Sequence, residues 1–126
     1  MFIRCLADCE EIVAGDSTIL REFLHPDKES LEITYSLAHA RVKPGRSSLK
    51  HMLATTEVYY ILEGRGTVHI DDESREVHAG HVVYIPPGAA QHIRNTGETD
   101  LTFLCIVEPA WREEDEQILQ NDRHGA

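Results

Sequence analysis

Apolar and polar residues alternate along the middle of the chain in short runs. Leu31 to Val42, Glu57 to Leu62, Gly66 to Ile70, His81 to Ile85, His92 to Asn95 and Leu101 to Val107 are rich in Val, Ile, Tyr, Thr and Leu. Side chains at i and i+2 share one face of a strand, so a two-residue period of this kind predicts half-buried strands. Between the runs lie Lys43-Pro44-Gly45, Glu63-Gly64-Arg65-Gly66, Asp71-Asp72, Pro87-Gly88 and Asn95-Thr96-Gly97. Each supplies either the preset φ of proline or the tolerance of positive φ that a reversal requires. The pattern predicts an all-β antiparallel barrel or sandwich.

The two ends read differently. Residues 1–30 alternate less cleanly, and Gly15-Asp16 and His25-Pro26-Asp27 suggest a short strand or helical turn, then a loop leading into the barrel. From Glu108 to Ala126 six acidic residues face two arginines. That segment reads as an acidic, solvated tail, helical if ordered, with Trp111 packing it onto the barrel or a partner subunit. At 126 residues and 41% hydrophobic, the chain suits one domain with its own core. The expected organisation is therefore a single domain over 1–126, with a barrel core at about 31–107 and a tail at 108–126.

Charge and cysteine content narrow the partners. Twelve Lys and Arg against 22 Asp and Glu give a net charge of −10, which repels nucleic acid and anionic membrane surfaces. No apolar stretch approaches the roughly 18 residues a membrane span needs, and Met1-Phe-Ile-Arg-Cys lacks the organisation of a signal peptide, so a soluble, cytoplasmic protein is expected. Cys5, Cys9 and Cys105 form no disulfide or zinc pattern and read as buried, reduced thiols.

Two separated blocks carry the chemistry. Gly45, five residues, His51-Met52-Leu53, three residues, Glu57, six residues and Gly64 make the first; Gly80, five residues, Pro86-Pro87-Gly88, then Gln91 and Asn95 make the second. Together they resemble the two motifs of the cupin superfamily, specifically the small single-domain cupin 2 conserved barrels and the sugar-phosphate isomerase-like cupins. The resemblance covers about residues 31–107. It implies a jelly-roll type β-barrel whose interior holds a divalent transition metal, such as Mn, Fe, Ni or Zn, on two histidines, a glutamate and a last histidine. Leu53 stands where the second histidine belongs and Gln91 where the last one belongs.

By that correspondence His51 and Glu57 are metal ligands. Gln91 takes the last position with its amide oxygen, a neutral donor weaker than imidazole. Sliding the register by one residue would offer His92 instead, but the alternation of Gln91, Ile93 and Asn95 keeps Gln91 on the inward face. His39, on the strand before the first motif, is a second candidate to replace the ligand missing at Leu53. Three protein ligands plus water are a normal set for a catalytic metal. Glu57 and Tyr59 are the candidate acid or base groups, with Tyr35 a further lining residue. His69, His78 and His81 read as exposed hairpin histidines, and His25 and His124 as solvated ones.

Two functions fit. One is a metal-dependent enzyme acting on a small molecule inside the barrel, as an isomerase, a dioxygenase or a lyase. The other is a metal-free small-molecule-binding module with an apolar pocket bordered by Leu53, Tyr59, Ile61 and Ile93. Whether the chain is an enzyme is left open between them. A homodimer is expected in either case, because a chain this short benefits from covering more surface.

Overall fold

The computed structural model describes residues 1–120. Two antiparallel sheets face one another. The larger contains β1 (Glu11–Val13), β2 (Ile19–Leu24), β3 (Ser36–Val42), β5 (Thr56–Glu63), β8 (Val82–Ile85) and β10 (Leu101–Glu108), in the order β1-β2-β3-β10-β5-β8. The smaller contains β4 (His51–Leu53), β6 (Arg65–Ile70), β7 (Glu73–His78), β9 (Gln91–Asn95) and β11 (Glu116–Ile118), in the order β11-β4-β9-β6-β7. Among the described residues the fold is all-β apart from two short 3₁₀ turns, Leu6–Asp8 and Glu113–Asp115. None of the described helices is long and apolar enough to cross a membrane.

The period of two decides what lies between the sheets. On β3, Ser36, Ala38, Ala40 and Val42 are buried while Leu37, His39 and Arg41 face outward. Ala40 pairs with Phe103 of β10, and Phe103 pairs in turn with Ile61 of β5. Phe103, Ile61, Ile85, Ile93 and Leu101 are almost fully buried in the shared core. The same parity places His51 and Leu53 inward on β4, Glu57 and Tyr59 inward on β5, and Gln91 and Asn95 inward on β9. Polar residues thus enter the core because their strand registers carry them there.

The glycines of the motifs hold the turns. Gly64 has φ +84°, and a Cβ there would come within 2.7 Å of the Asp100 carbonyl oxygen, so both its conformation and its neighbours require glycine. Asn95 is structural as well. Its Nδ2 donates to the carbonyls of Val42 and Thr99, and its Oδ1 accepts from the Gly97 amide, which fastens the turn before β10.

The ends depart most from the sequence expectation. The acidic tail is not a helix: after the turn at 113–115 it adds β11 to the edge of β4, pairing Glu116 with Leu53 and Ile118 with His51. Two further bonds, from the Ala54 amide to Asp115 O and from the Leu119 amide to Lys50 O, extend that attachment. Trp111 joins it to the N-terminal part, donating its backbone N–H to Ser36 Oγ while its carbonyl contacts His25 Nε2 at 2.7 Å. His25 is consequently buried rather than solvated, since its ring fastens the returning tail. Cys9 and Cys105 are buried and Cys5 is exposed, all three free. His124 lies outside the described residues.

Candidate functional site

A cavity of about 230 Å³ opens between the sheets. Ala38, Ala40, Leu53, Phe103 and Val107 give it apolar walls, while Asp16, His51, Glu57, Tyr59 and Glu116 bring polar groups to it. Ile61 and Ile93, expected to border a pocket, are packed into the core instead. The polar groups fall into two sets.

The first set is a hydrogen-bonded chain. Tyr59 Oη donates to Gln91 Oε1 at 2.8 Å, and Gln91 Nε2 donates to Glu57 Oε1 at 2.9 Å. All three side chains are buried. Burial, reinforced by the nearby Glu57 carboxyl, pushes the Tyr59 hydroxyl well above its ordinary range, so it keeps the proton it donates. Burial likewise pushes Glu57 up to about 8, against the opposing hydrogen bond from Gln91 and with help from the Asp16 and Glu116 charges. Near neutral pH Glu57 is therefore a carboxylic acid.

The second set gathers around His51. Its Nδ1 lies 2.6 Å from the Leu49 carbonyl oxygen, which can only accept, so Nδ1 carries a proton and the lone pair of a neutral ring is at Nε2. Nε2 points at Asp16 Oδ2, 3.5 Å away. Asp16 sits in the β1–β2 turn, where Oδ1 accepts from both the amide and the hydroxyl of Thr18, leaving Oδ2 for the imidazole. Glu116 enters from β11. One ligand atom from each of Asp16, His51 and Glu116 lies within 4.8 Å of the others. Burial and the neighbouring Asp16 push the Glu116 carboxyl up, while His51 draws it down.

The ligand set expected from the motifs is thus divided. Leu53 is buried, lines the cavity and has no donor. Both amide atoms of Gln91 are already engaged, and Glu57 is held by Gln91. In these contacts Gln91 has no free amide atom to offer an ion, while His51 Nε2 and the second oxygen of Glu57 have no hydrogen-bond partner among the described residues. Neither reserve histidine completes the set. His39 faces outward beside Arg21 and Leu104, and His92 faces outward, stacked on His69 at a ring separation of 4.2 Å, because the pleat turns both away from the cavity. Tyr35 is also on the surface rather than in the lining. Asp16 and Glu116 were not singled out from the sequence. The Asp16-Ser17-Thr18 turn carried a weak signal for a side-chain-capped turn, but no periodicity marked either residue as inward.

Residues 38–107 match the cupin domain family. The chain belongs to that family. It is 41% identical over 109 residues to an uncharacterized protein of Methanocaldococcus jannaschii, with 86% of each chain covered. It is 37% identical over 71 residues to an oxalate-binding protein of Thermotoga maritima, covering 56% of this chain but only 59% of that relative's length. Among solved structures, a predicted oxalate decarboxylase from Thermotoga maritima is similar at a TM-score of 0.74 and 26% identity, covering 86% of this chain and 99% of that one. The cupin barrel of this chain therefore keeps the family's architecture.

The Glu57 environment makes stability depend on pH in a definite direction. Below pH 4.5 Glu57 is protonated in both folded and unfolded chains, whereas between 4.5 and about 8 only the unfolded chain ionises it, so stability falls as pH rises and levels off above 8. Glu57→Gln keeps an oxygen for Gln91 and cannot ionise. In metal-free protein the variant should match the parent at the acid end and exceed it above pH 8 by on the order of a few kcal/mol, read from denaturant midpoints. A difference that stays constant across this range contradicts the buried neutral acid.

Proposed function

We propose that this cupin takes a small, oxygen-rich molecule into the barrel and acts on it with a divalent transition metal anchored at His51. The observation that carries the reading is the cavity itself, apolar on most sides with its ionisable groups converging on His51 and Glu57. A volume of about 230 Å³ falls below the ~300 Å³ typical of drug-sized ligands and suits a small metabolite. A bound cation would supply Lewis-acid polarisation of a ligand oxygen. The protein's own contribution is a proton. With Oε1 of Glu57 accepting from Gln91, the acid proton belongs on the other oxygen, and Glu57 borders the cavity. Glu57 is the proposed proton donor, with Gln91 and Tyr59 positioning it.

The oxalate-binding relative suggests the kind of ligand, a small acid with adjacent oxygens that can chelate a cation. The carboxylates of Asp16 and Glu116 disfavour such an anion unless a cation is present, so ligand and metal should bind together. The competing reading, a metal-free binding module, draws on Leu53, whose side chain keeps part of the wall apolar.

The homodimer is proposed at the β8 edge of the six-stranded sheet. β8 is an edge strand reading Val-Val-Tyr-Ile, without charge, proline or bulge to protect it. Val82 and Tyr84 are 68% and 60% exposed. They continue into the outward rows Val82, Tyr60, Leu104 and Tyr84, Val58, Ile106. A second copy suits this surface because antiparallel pairing of two β8 edges brings the same rows side by side and keeps two chains of net charge −10 in contact only where neither is charged.

Three measurements test these readings. Elemental mass spectrometry on untagged protein should find near-stoichiometric transition metal that is lost in His51→Ala, and oxalate should raise the melting temperature only of metal-loaded protein. An absence of metal, even after incubation with each ion, would favour the metal-free module. Light scattering should give twice the chain mass for the parent and a single-chain mass for Val82→Lys combined with Tyr84→Lys; a monomeric parent would contradict the interface.

A further inference from the structure

The donors around His51 come from an unexpected part of the chain. His51 lies on the barrel strand β4, but Asp16 belongs to the first hairpin and Glu116 to the last strand. We propose that the divalent cation is held by Asp16 Oδ2, His51 Nε2 and a Glu116 carboxylate oxygen, so that the ion fastens both chain-end segments to the barrel. This rests on the reading above that a metal is anchored at His51, and it names the remaining ligands and their consequence.

Three observations support it. First, each donor is already aimed. The Leu49 carbonyl fixes the His51 tautomer with its lone pair at Nε2, and Thr18 holds Asp16 Oδ1 so that Oδ2 is the oxygen presented. Such outer contacts are what orient ligands in metal sites. His51 is 1% exposed, and among the described residues Nε2 has no hydrogen-bond donor or acceptor closer than the carboxylate 3.5 Å away.

Second, the spacing suits an ion. Ligand atoms about 2.0–2.2 Å from a metal lie about 3–3.5 Å from one another in tetrahedral or octahedral arrangement. The His51–Asp16 pair already meets this, and the remaining separations within 4.8 Å require only a modest turn of a carboxylate. Third, the local charge calls for a cation. Two carboxylates on one imidazole carry a net negative charge when His51 is neutral. One nitrogen and two oxygen donors favour manganese, iron or zinc over copper(I), which prefers sulfur. Open coordination positions would face the cavity that all three residues border.

The backbone makes the fastening specific. The Leu49 amide donates to the Asp16 carbonyl, and the Ala54 amide to that of Asp115, so each chain-end donor is attached next to β4 by a main-chain bond. Gly15 abuts Glu116 as well, since a Cβ on Gly15 would lie 3.2 Å from Glu116 Oε1. A shared ion would join these two segments across His51.

The test uses full-length protein stripped with a chelator and titrated with Mn²⁺ or Zn²⁺ by calorimetry, followed by hydrogen exchange with and without the ion. Asp16→Asn and Glu116→Gln keep size and shape; each should weaken binding on the order of tenfold or more. Glu57→Gln and His92→Ala should bind the ion within about threefold of the parent, on the same scale. Exchange at the amides of residues 11–18 and 114–119 should slow when the parent binds metal, and this slowing should be lost in both chain-end variants. Parent-like binding by Asp16→Asn and Glu116→Gln, with loss in Glu57→Gln, would overturn this ligand set while leaving a metal at His51. Failure of the parent to bind either ion would overturn the metal reading itself. Having two isosteric variants on separate segments guards against misfolding of one.

Discussion

The amide of Gln91 has one oxygen and one nitrogen, and both are engaged inside the barrel. Oε1 accepts the Tyr59 hydroxyl and Nε2 donates to Glu57. Burying polar groups in a two-sheet core is costly unless they are paired, and this chain pairs three of them with one another. Burial keeps the proton on Glu57 near neutral pH against the opposing hydrogen bond from Gln91, and His51, left out of the chain, turns Nε2 to Asp16.

Leu53 belongs to the same arrangement. On a strand whose inward positions are 51 and 53, an imidazole at 53 would give His51 a neighbouring ligand deeper in the barrel. Leucine there extends the wall formed by Ala38, Ala40 and Phe103 and leaves the polar end of the cavity nearer the chain termini.

Most of the fold was legible because strand parity is a strong constraint. The runs at 57–62, 66–70, 81–85 and 101–107 became β5, β6, β8 and β10 with shifts of one residue at their ends. Parity also chose Gln91 over His92 correctly as the inward residue, since each one-residue step reverses the face. The ends were illegible for the opposite reason. Asp16 and Glu116 lie in polar segments without alternation, and a three-residue strand such as Glu116–Ile118 is defined by its partner β4 rather than by its own sequence. Nor does sequence announce that a particular glutamine will have both amide atoms engaged; that emerges only when Tyr59 and Glu57 are placed around it.

The central claim is positional, that the ion belongs between the chain-end carboxylates and His51 rather than among His51, Glu57 and Gln91. Anomalous diffraction from crystals loaded with manganese locates it without reference to any reaction. The account predicts a single strong peak bounded by Asp16, His51 and Glu116. A peak bounded instead by Glu57 and Gln91, with the Tyr59 hydrogen bond broken to release the amide oxygen, would contradict it.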